Sequence, residues 1–199
     1  NHDAPDATRE RLRCWRRTCQ RHVKAASANL AAAPAHAGAF PLAAGYGVVW
    51  QEQMRALERD ETITLVHVDA HIDWRDEING VREGYSSPIR RASEMGWFGH
   101  IVQIGIRANG SAGEEEVSDA RAYGADIITA YEMHEIGMSA VLDRIPDGGP
   151  YYLTVDADGI DPTIMPAVMA QAPGGLDWVQ TRQLIHGPVS YTHLTLPTT

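Results

Sequence analysis

Asp69, His71 and Asp73 occupy alternate positions directly after an apolar, β-branched run from Thr62 to Val68. That run reads as a buried strand. Successive side chains of an extended chain point to opposite faces, so the three share a side. They would aim two carboxylates and an imidazole at one point just past the strand end, where open α/β sheets bind ligands. A second stretch repeats the arrangement: Tyr151 to Val155 leads into Asp156, Asp158 and Asp161-Pro162. Carboxylates set this close repel, and one must take up a proton unless a cation stands among them. Four carboxylates and one imidazole form a hard, oxygen-rich set, suited to Mn²⁺ more than to Zn²⁺ or copper. Five ligands with shared carboxylates fit two ions better than one.

Positioning these groups requires strands with matching ends. After the first motif, residues 77–87 carry turn residues and read as a loop. Pro88 opens a helix to about Met95, and His100–Arg107 is the next strand. Ser111 is expected to cap a helix with Glu114, Glu115 and Glu116 in its early turns, where acidic groups suit the helix dipole. Residues 126–129 form a short strand and 131–144 a helix, and Tyr151–Val155 follows as the second motif's strand. Asp177 starts a last helix to about His186, with Gly187 as its stop. This alternation predicts a mainly parallel sheet covered by helices on both faces.

A chain of 199 residues with 44% hydrophobic content can bury one real core. No apolar run approaches the roughly 18–20 residues of a membrane span, and no signal peptide is visible. The net charge of −9 argues against nucleic acid or an anionic membrane as partner. Cys14 and Cys19 are the two cysteines. They make neither a disulfide framework nor a zinc pattern, so a reducing, cytoplasmic setting is expected.

Asp69-Ala70-His71-Ile72-Asp73 and Asp156-Ala157-Asp158-Gly159-Ile160-Asp161-Pro162 together resemble the two metal motifs of the ureohydrolases: arginases, agmatinases and related guanidino-group hydrolases. Pro173-Gly174-Gly175-Leu176 is similar to that family's Gly-Gly-Leu segment. The resemblance spans about residues 60 to 188. It implies a three-layer α/β/α sandwich, truncated in this chain, and two Mn²⁺ ions. It further implies a small guanidino substrate and a homo-oligomer, trimer or hexamer, of the intact protein. By the same resemblance Asp69 and Asp156 would each bridge the ions, Asp73 would bind one, and His71 and Asp158 the other. Asp161 would buttress the loop.

The remaining segments read differently. Residues 9–24 carry six Arg and one Lys, best taken as a solvated helix, and residues 25–45 contain eleven alanines. In the ureohydrolases an earlier strand ends in Gly-Gly-Asp-His-Ser, and its His is a ligand. The counterpart here, Pro41 to Val49, puts Val48 at that position. Either the site is divergent or the segment is out of frame, and the alanine- and arginine-rich text of residues 1–50 favours the latter. Residues 51–188 would then be a partial ureohydrolase domain. Residues 189–199 resemble a translated sequencing adapter and are expected to be non-native. A late glutamate that contacts substrate in the family has no counterpart here.

The chemistry implied is hydrolysis of a guanidinium carbon, a resonance-stabilised and poor electrophile. It needs activated water held in line and stabilisation of the tetrahedral adduct. Pro88-Ile89-Arg90-Arg91-Ala92 looks agmatinase-like, and its alignment places Tyr85 where the family often has a proton-relaying His. A tyrosine is the weaker relay near neutral pH. His67 shares parity with the metal motif, yet lies inside the apolar strand and is expected to be a hydrogen-bonded core histidine. His100, His134 and His186 are expected at the surface, and Trp74, Trp97 and Trp178 in packing roles. Three other readings are open. Asp156-Ala157-Asp158-Gly159 also resembles the nucleophile motif of haloacid-dehalogenase-type phosphatases, but that leaves the first motif unexplained and no lysine follows. A calcium loop fails on spacing, with Gly159 fourth rather than sixth and Ala167 at position twelve. An inactive or truncated metal-binding member is the third.

Overall fold

The computed structural model describes residues 62–110, 112–147 and 150–189. The readings made for residues 1–61, Val48 included, for Ser111 and for residues 190–199 lie outside the described residues. Strand β1 (Ile63–Val68) is buried at every position, as an Ile/Val/Leu run covered on both sides must be. It is followed by helix α1 (Pro88–Ser93), β2 (Phe98–Ile106), α2 (Glu114–Tyr123), β3 (Asp126–Thr129), α3 (Ala130–Leu142), β4 (Tyr151–Val155) and α4 (Trp178–Val189). The four strands form one sheet in the order β3-β2-β1-β4, and all pairings are parallel.

That order has a topological switch point between β1 and β4. The chain leaves β1 toward β2 and β3 on one side, then returns to place β4 on the other. Right-handed crossovers running in opposite directions put their helices on opposite faces, and the packing agrees. Ile63 and Leu65 of β1 join Phe98, Ile101, Ile89 and Ala92 of α1, and Ala120 of α2 in one core cluster. Val66 and Val68 join Val102, Ile104, Met133 and Val141 of α3, and Leu184 of α4 in a second. The alternation of the strand thus divides its side chains between two cores, and the three layers expected from the sequence are present.

Local signals set the helix ends. At α2 the backbone N–H of Gly113 donates to Glu116 Oε2 at 2.7 Å, so the glutamate run serves the N-terminus from the third helical position. Asp177 and Gln180 cap α4 reciprocally: Gln180 N donates to Asp177 Oδ1 at 2.7 Å, and Asp177 N to Gln180 Oε1 at 2.9 Å. Three readings are corrected. The last helix runs through Gly187 to Val189 rather than stopping at Gly187, since glycine lowers helix stability without forbidding the conformation. Helix α3 is interrupted at Gly137, whose φ of 79° is not helical. Trp178 is 68% exposed, while Trp74 is buried and Trp97 packs against the first cluster. As the first residue of its helix, Trp178 faces solvent. Among the described residues no helix is long and apolar enough to cross a membrane.

Leu65 lies fully buried in β1 between both neighbouring strands. Leu65→Ala is expected to cost about 2–5 kcal/mol of stability, read as a lower urea midpoint at unchanged slope. A loss under about 1 kcal/mol would contradict the central place of β1 in the core.

Candidate metal centre

Both acidic motifs begin one residue beyond a strand, at the carboxyl ends of β1 and β4, on either side of the switch point. The strands are in register through Val68↔Val155, so Asp69 and Asp156 emerge side by side. Asp156 N donates to Val68 O at 2.8 Å and Asp69 N to Ile104 O at 3.2 Å, which continues the sheet pairing into the site. The motifs themselves are not extended. His71 N donates to Asp69 Oδ1 at 2.6 Å, a tight turn over the first carboxylate. Asp73 adopts a left-handed backbone with φ of 50°. Residues 157–159 form a single 3₁₀ turn in which Asp158 N donates to Asp156 Oδ1 at 3.0 Å. The side chains therefore converge through Asp-directed turns rather than through strand alternation.

The turns bring together most of the expected set. Asp69, His71 and Asp158 offer ligand atoms within 4.8 Å of one another, and so do His67, Asp69 and Asp73. Asp69 belongs to both groups. His71 Nδ1 lies 3.1 Å from Asp158 Oδ2 and 3.4 Å from Asp69 Oδ1. Asp156 is in neither group; its Oδ1 is turned to Asp158 N, although its charge is felt by Asp73. Asp161 stands outside as well. Its Oδ1 accepts from Thr163 N at 2.9 Å and Thr163 Oγ1 at 2.6 Å, and its Oδ2 from Gly174 N at 2.8 Å. These bonds, those to Thr163 foremost, hold its carboxyl down at about 2. Asp161 is a loop buttress, as expected. Tyr85 is exposed in the loop before α1.

The electrostatics show how crowded the cluster is. Asp69 is 2% exposed. Burial works against its charge, but His67 beside it and bonds from His67 and His71 hold it well below the ordinary carboxylate range. Asp73 is pushed well above that range by desolvation, then by Asp69, Asp156 and Asp158, against the pull of His71. Burial and then Asp69 push Asp156 up too. Hydrogen bonds to Asp158 and Asp69 raise His71 to about 10. Left to itself, the cluster balances its charge with protons. A divalent cation would replace them, so this donor set fits hard metal ions.

The support around the motifs was not visible in the sequence. Arg107, at the end of β2, fans its guanidinium over main-chain carbonyls of two loops. Nη2 donates to Asp158 O and Ala172 O, each at 2.6 Å, Nε to Ala172 O at 3.0 Å, and Nη1 to Gly105 O at 2.9 Å. Nothing local announces this role, since the partners lie up to 66 residues away. Ala70 is pinned on two sides: its N donates to Asp158 Oδ1, and its O accepts from Arg107 N and Ala108 N. Two glycines permit the close approach. A Cβ on Gly159 would lie 2.8 Å from Asp69 N, and one on Gly175 would lie 2.5 Å from Arg107 Nη2. The sequence's Gly-Gly-Leu segment thus serves packing, with Leu176 bridged to Ile160.

The fold is thus a parallel α/β sandwich with a buried acid–imidazole cluster at its switch point. Residues 7–195 match the model of the Arginase family, and the chain belongs to that family. It is 34% identical over 158 residues to the guanidinopropionase of Pseudomonas aeruginosa, covering 76% of this chain and 49% of that protein. It is 33% identical to the guanidinobutyrase of the same organism, covering 67% and 44%. The crystal structure of the agmatine ureohydrolase of Thermoplasma volcanium superposes with a TM-score of 0.61 at 31% identity, covering 70% of this chain and 46% of that one. The chain spans about half the length of the curated relatives it matches.

Gly159→Ala is expected to lower the melting temperature and to weaken divalent-cation binding in a titration, because its Cβ would press on the backbone of Asp69. Gly84→Ala, with nothing within 4 Å, should change neither. Equal behaviour of the two variants would show that the Gly159 approach does not shape the site.

Proposed function

We propose that the intact protein hydrolyses a small linear guanidino compound to urea and the corresponding amine, using two Mn²⁺ ions. The observation that carries this reading is that Asp69 is common to two groups of ligand atoms at the carboxyl ends of adjacent strands. On this reading Asp73 and Asp69 hold one ion, and His71, Asp158 and Asp69 hold the other. Asp156, next to Asp69 across the β1–β4 pairing, completes the set by a rotation of its carboxylate. Bound there, the cations would supply Lewis-acid activation of water near neutral pH.

The chain's own residues supply the rest. Arg107 spends its guanidinium on main-chain carbonyls, so it fixes the two loops without competing for the carboxylates. Protonation of the leaving nitrogen has to accompany scission of the C–N bond. The overall balance is guanidinium plus water giving urea plus an ammonium. The agmatinase-like Pro88-Ile89-Arg90-Arg91-Ala92 segment forms α1, whose Ile89 and Arg90 N–H groups donate to Asp73 O at 3.2 and 3.3 Å. This ties the orientation of the helix to the metal motif.

The test is urea release by the purified protein with Mn²⁺, offered agmatine, 3-guanidinopropionate and 4-guanidinobutyrate in turn. Turnover of at least one is expected, with agmatine preferred, and Asp156→Ala and Asp158→Ala are each expected to abolish it. Unchanged turnover in either variant would sink the site assignment. Preference for an acid-tailed compound would replace the agmatine reading while leaving the reaction intact. Tight Mn²⁺ binding without any urea release would leave a metal-binding member that does not turn over.

A further inference from the structure

His67 has an ambiguous place in the cluster. Its ring belongs to one of the two groups of potential ligand atoms, with Asp69 and Asp73, yet it lies inside β1 and is almost wholly buried. Nε2 is 2.9 Å from Asp69 Oδ2, and Nδ1 is 3.1 Å from Nε2 of Gln103. Gln103 is its direct partner in the β1–β2 register and is fully buried. Whether His67 ligates a cation or donates to Asp69 depends on which ring nitrogen carries the proton.

The neighbouring backbone decides this. Gln103 Nε2 donates to Ile72 O at 2.7 Å. A carbonyl only accepts, so the amide cannot be turned to place Oε1 there without setting two oxygens against each other. The NH₂ group therefore faces both Ile72 O and His67. A ring nitrogen facing an NH₂ donor must itself be bare, so Nδ1 is the acceptor and the single proton of the neutral ring sits on Nε2. From there it points at Asp69 Oδ2. Gln103 Oε1 is left without a hydrogen-bond partner. A methionine would fill the same buried volume without that cost, so packing alone does not explain the amide.

We propose that Gln103 is a positioning residue that holds the His67 proton on Nε2, so that His67 donates to Asp69 and does not itself ligate a cation. The chain runs from Ile72 O through Gln103 and His67 to Asp69 Oδ2, while His71 N holds Oδ1 of the same carboxylate. Both oxygens of the group shared by the two sets are thereby oriented, and Ile72 belongs to the same motif whose carboxylate the chain fixes. The value of this arrangement to metal binding rests on the reading of Asp69 as a ligand given above. The proton position does not.

The experiment is long-range ¹H–¹⁵N spectroscopy of the histidine rings, on the protein before and after Mg²⁺ addition as a diamagnetic probe, paired with Mn²⁺ titration followed by the signal of free Mn²⁺. In the metal-free protein His67 is expected to show a protonated Nε2 and a bare Nδ1, unchanged by Mg²⁺. Gln103→Glu, whose neutral carboxyl can give its proton to Ile72 O and accept from Nδ1 with the same oxygen, is expected to move the ring proton to Nδ1. Gln103→Met is expected to weaken Mn²⁺ binding about 10–100-fold while melting as a folded protein. A wild-type ring protonated on Nδ1, a loss of the Nε2 proton on cation addition, or wild-type affinity in folded Gln103→Met would each overturn the proposal. Failure of the wild-type protein to bind Mn²⁺ would instead overturn the functional reading, with the proton position still decided by the metal-free spectra.

Discussion

Four aspartate carboxylates and two imidazoles are gathered where two adjacent parallel strands end, and in a cluster so shielded from water their charges cannot be left unbalanced. The two ends are held level by the Val68↔Val155 register and by Asp156 N on Val68 O. Asp69, the most deeply placed carboxylate, is held toward its ionised form by His67 and His71. Asp73 and Asp156 are driven toward protonation in consequence. A sheet that brought only one of these strand ends to this place would have no such conflict and no such site. The switch point is where the topology permits two strand ends to lie together with helices diverging on opposite faces.

Much of the remaining architecture is explained by the need to keep that cluster in shape. The 3₁₀ turn at 157–159 can sit under Asp69 only because residue 159 has no side chain, and the 172–176 loop can reach it only because residue 175 has none either. Arg107 binds the carbonyls that these close approaches expose, and burial of its guanidinium is compensated by several main-chain acceptors at once. Asp161 and His134 grip the same loop from either side of Gly174, the first at its N–H and the second at its C=O. Leu176 anchors the loop in the second core cluster, and polar bonds from Arg107, Asp161 and His134 hold its other residues.

Strand positions and the three layers could be read from the sequence because they follow from local periodicity: Ile63, Leu65, Val66 and Val68 report both faces of β1 without reference to anything distant. The acidic motifs were legible for a different reason. Asp-x-His-x-Asp after an apolar run is rare enough to carry chemistry, although the alternation argument gave the wrong geometry. The chain turns at Asp69 and goes left-handed at Asp73, and no periodicity predicts a turn that is built from the motif's own acidic side chains. Gln103 and Arg107 were illegible. Each looks like an ordinary polar residue in or after an apolar strand, and each acquires its role from backbone carbonyls 31 and 65 residues away. Trp178 failed in the opposite sense, because its size suggested packing while its place at the first turn of α4 left it in solvent.

The difference between His67 and His71 shows how one residue type takes two roles four positions apart. His71 follows the strand, is only partly buried and faces two carboxylates with Nδ1, so its ring would lose the Nδ1 proton to solvent if a cation were held between them. His67 precedes the strand end and is flanked by a carboxylate on one nitrogen and an amide on the other. Its proton is already committed to Asp69 by the orientation of that amide. A ring that donates to a carboxylate keeps the carboxylate's charge in place and its lone pairs directed, whereas a ring that ligates would compete with it for the same ion. On the proposed reading, placing the donor inside the strand and the ligand beyond it separates the two functions by backbone alone, and the Ile72 carbonyl, itself part of the first acidic motif, makes the separation depend on that motif being folded.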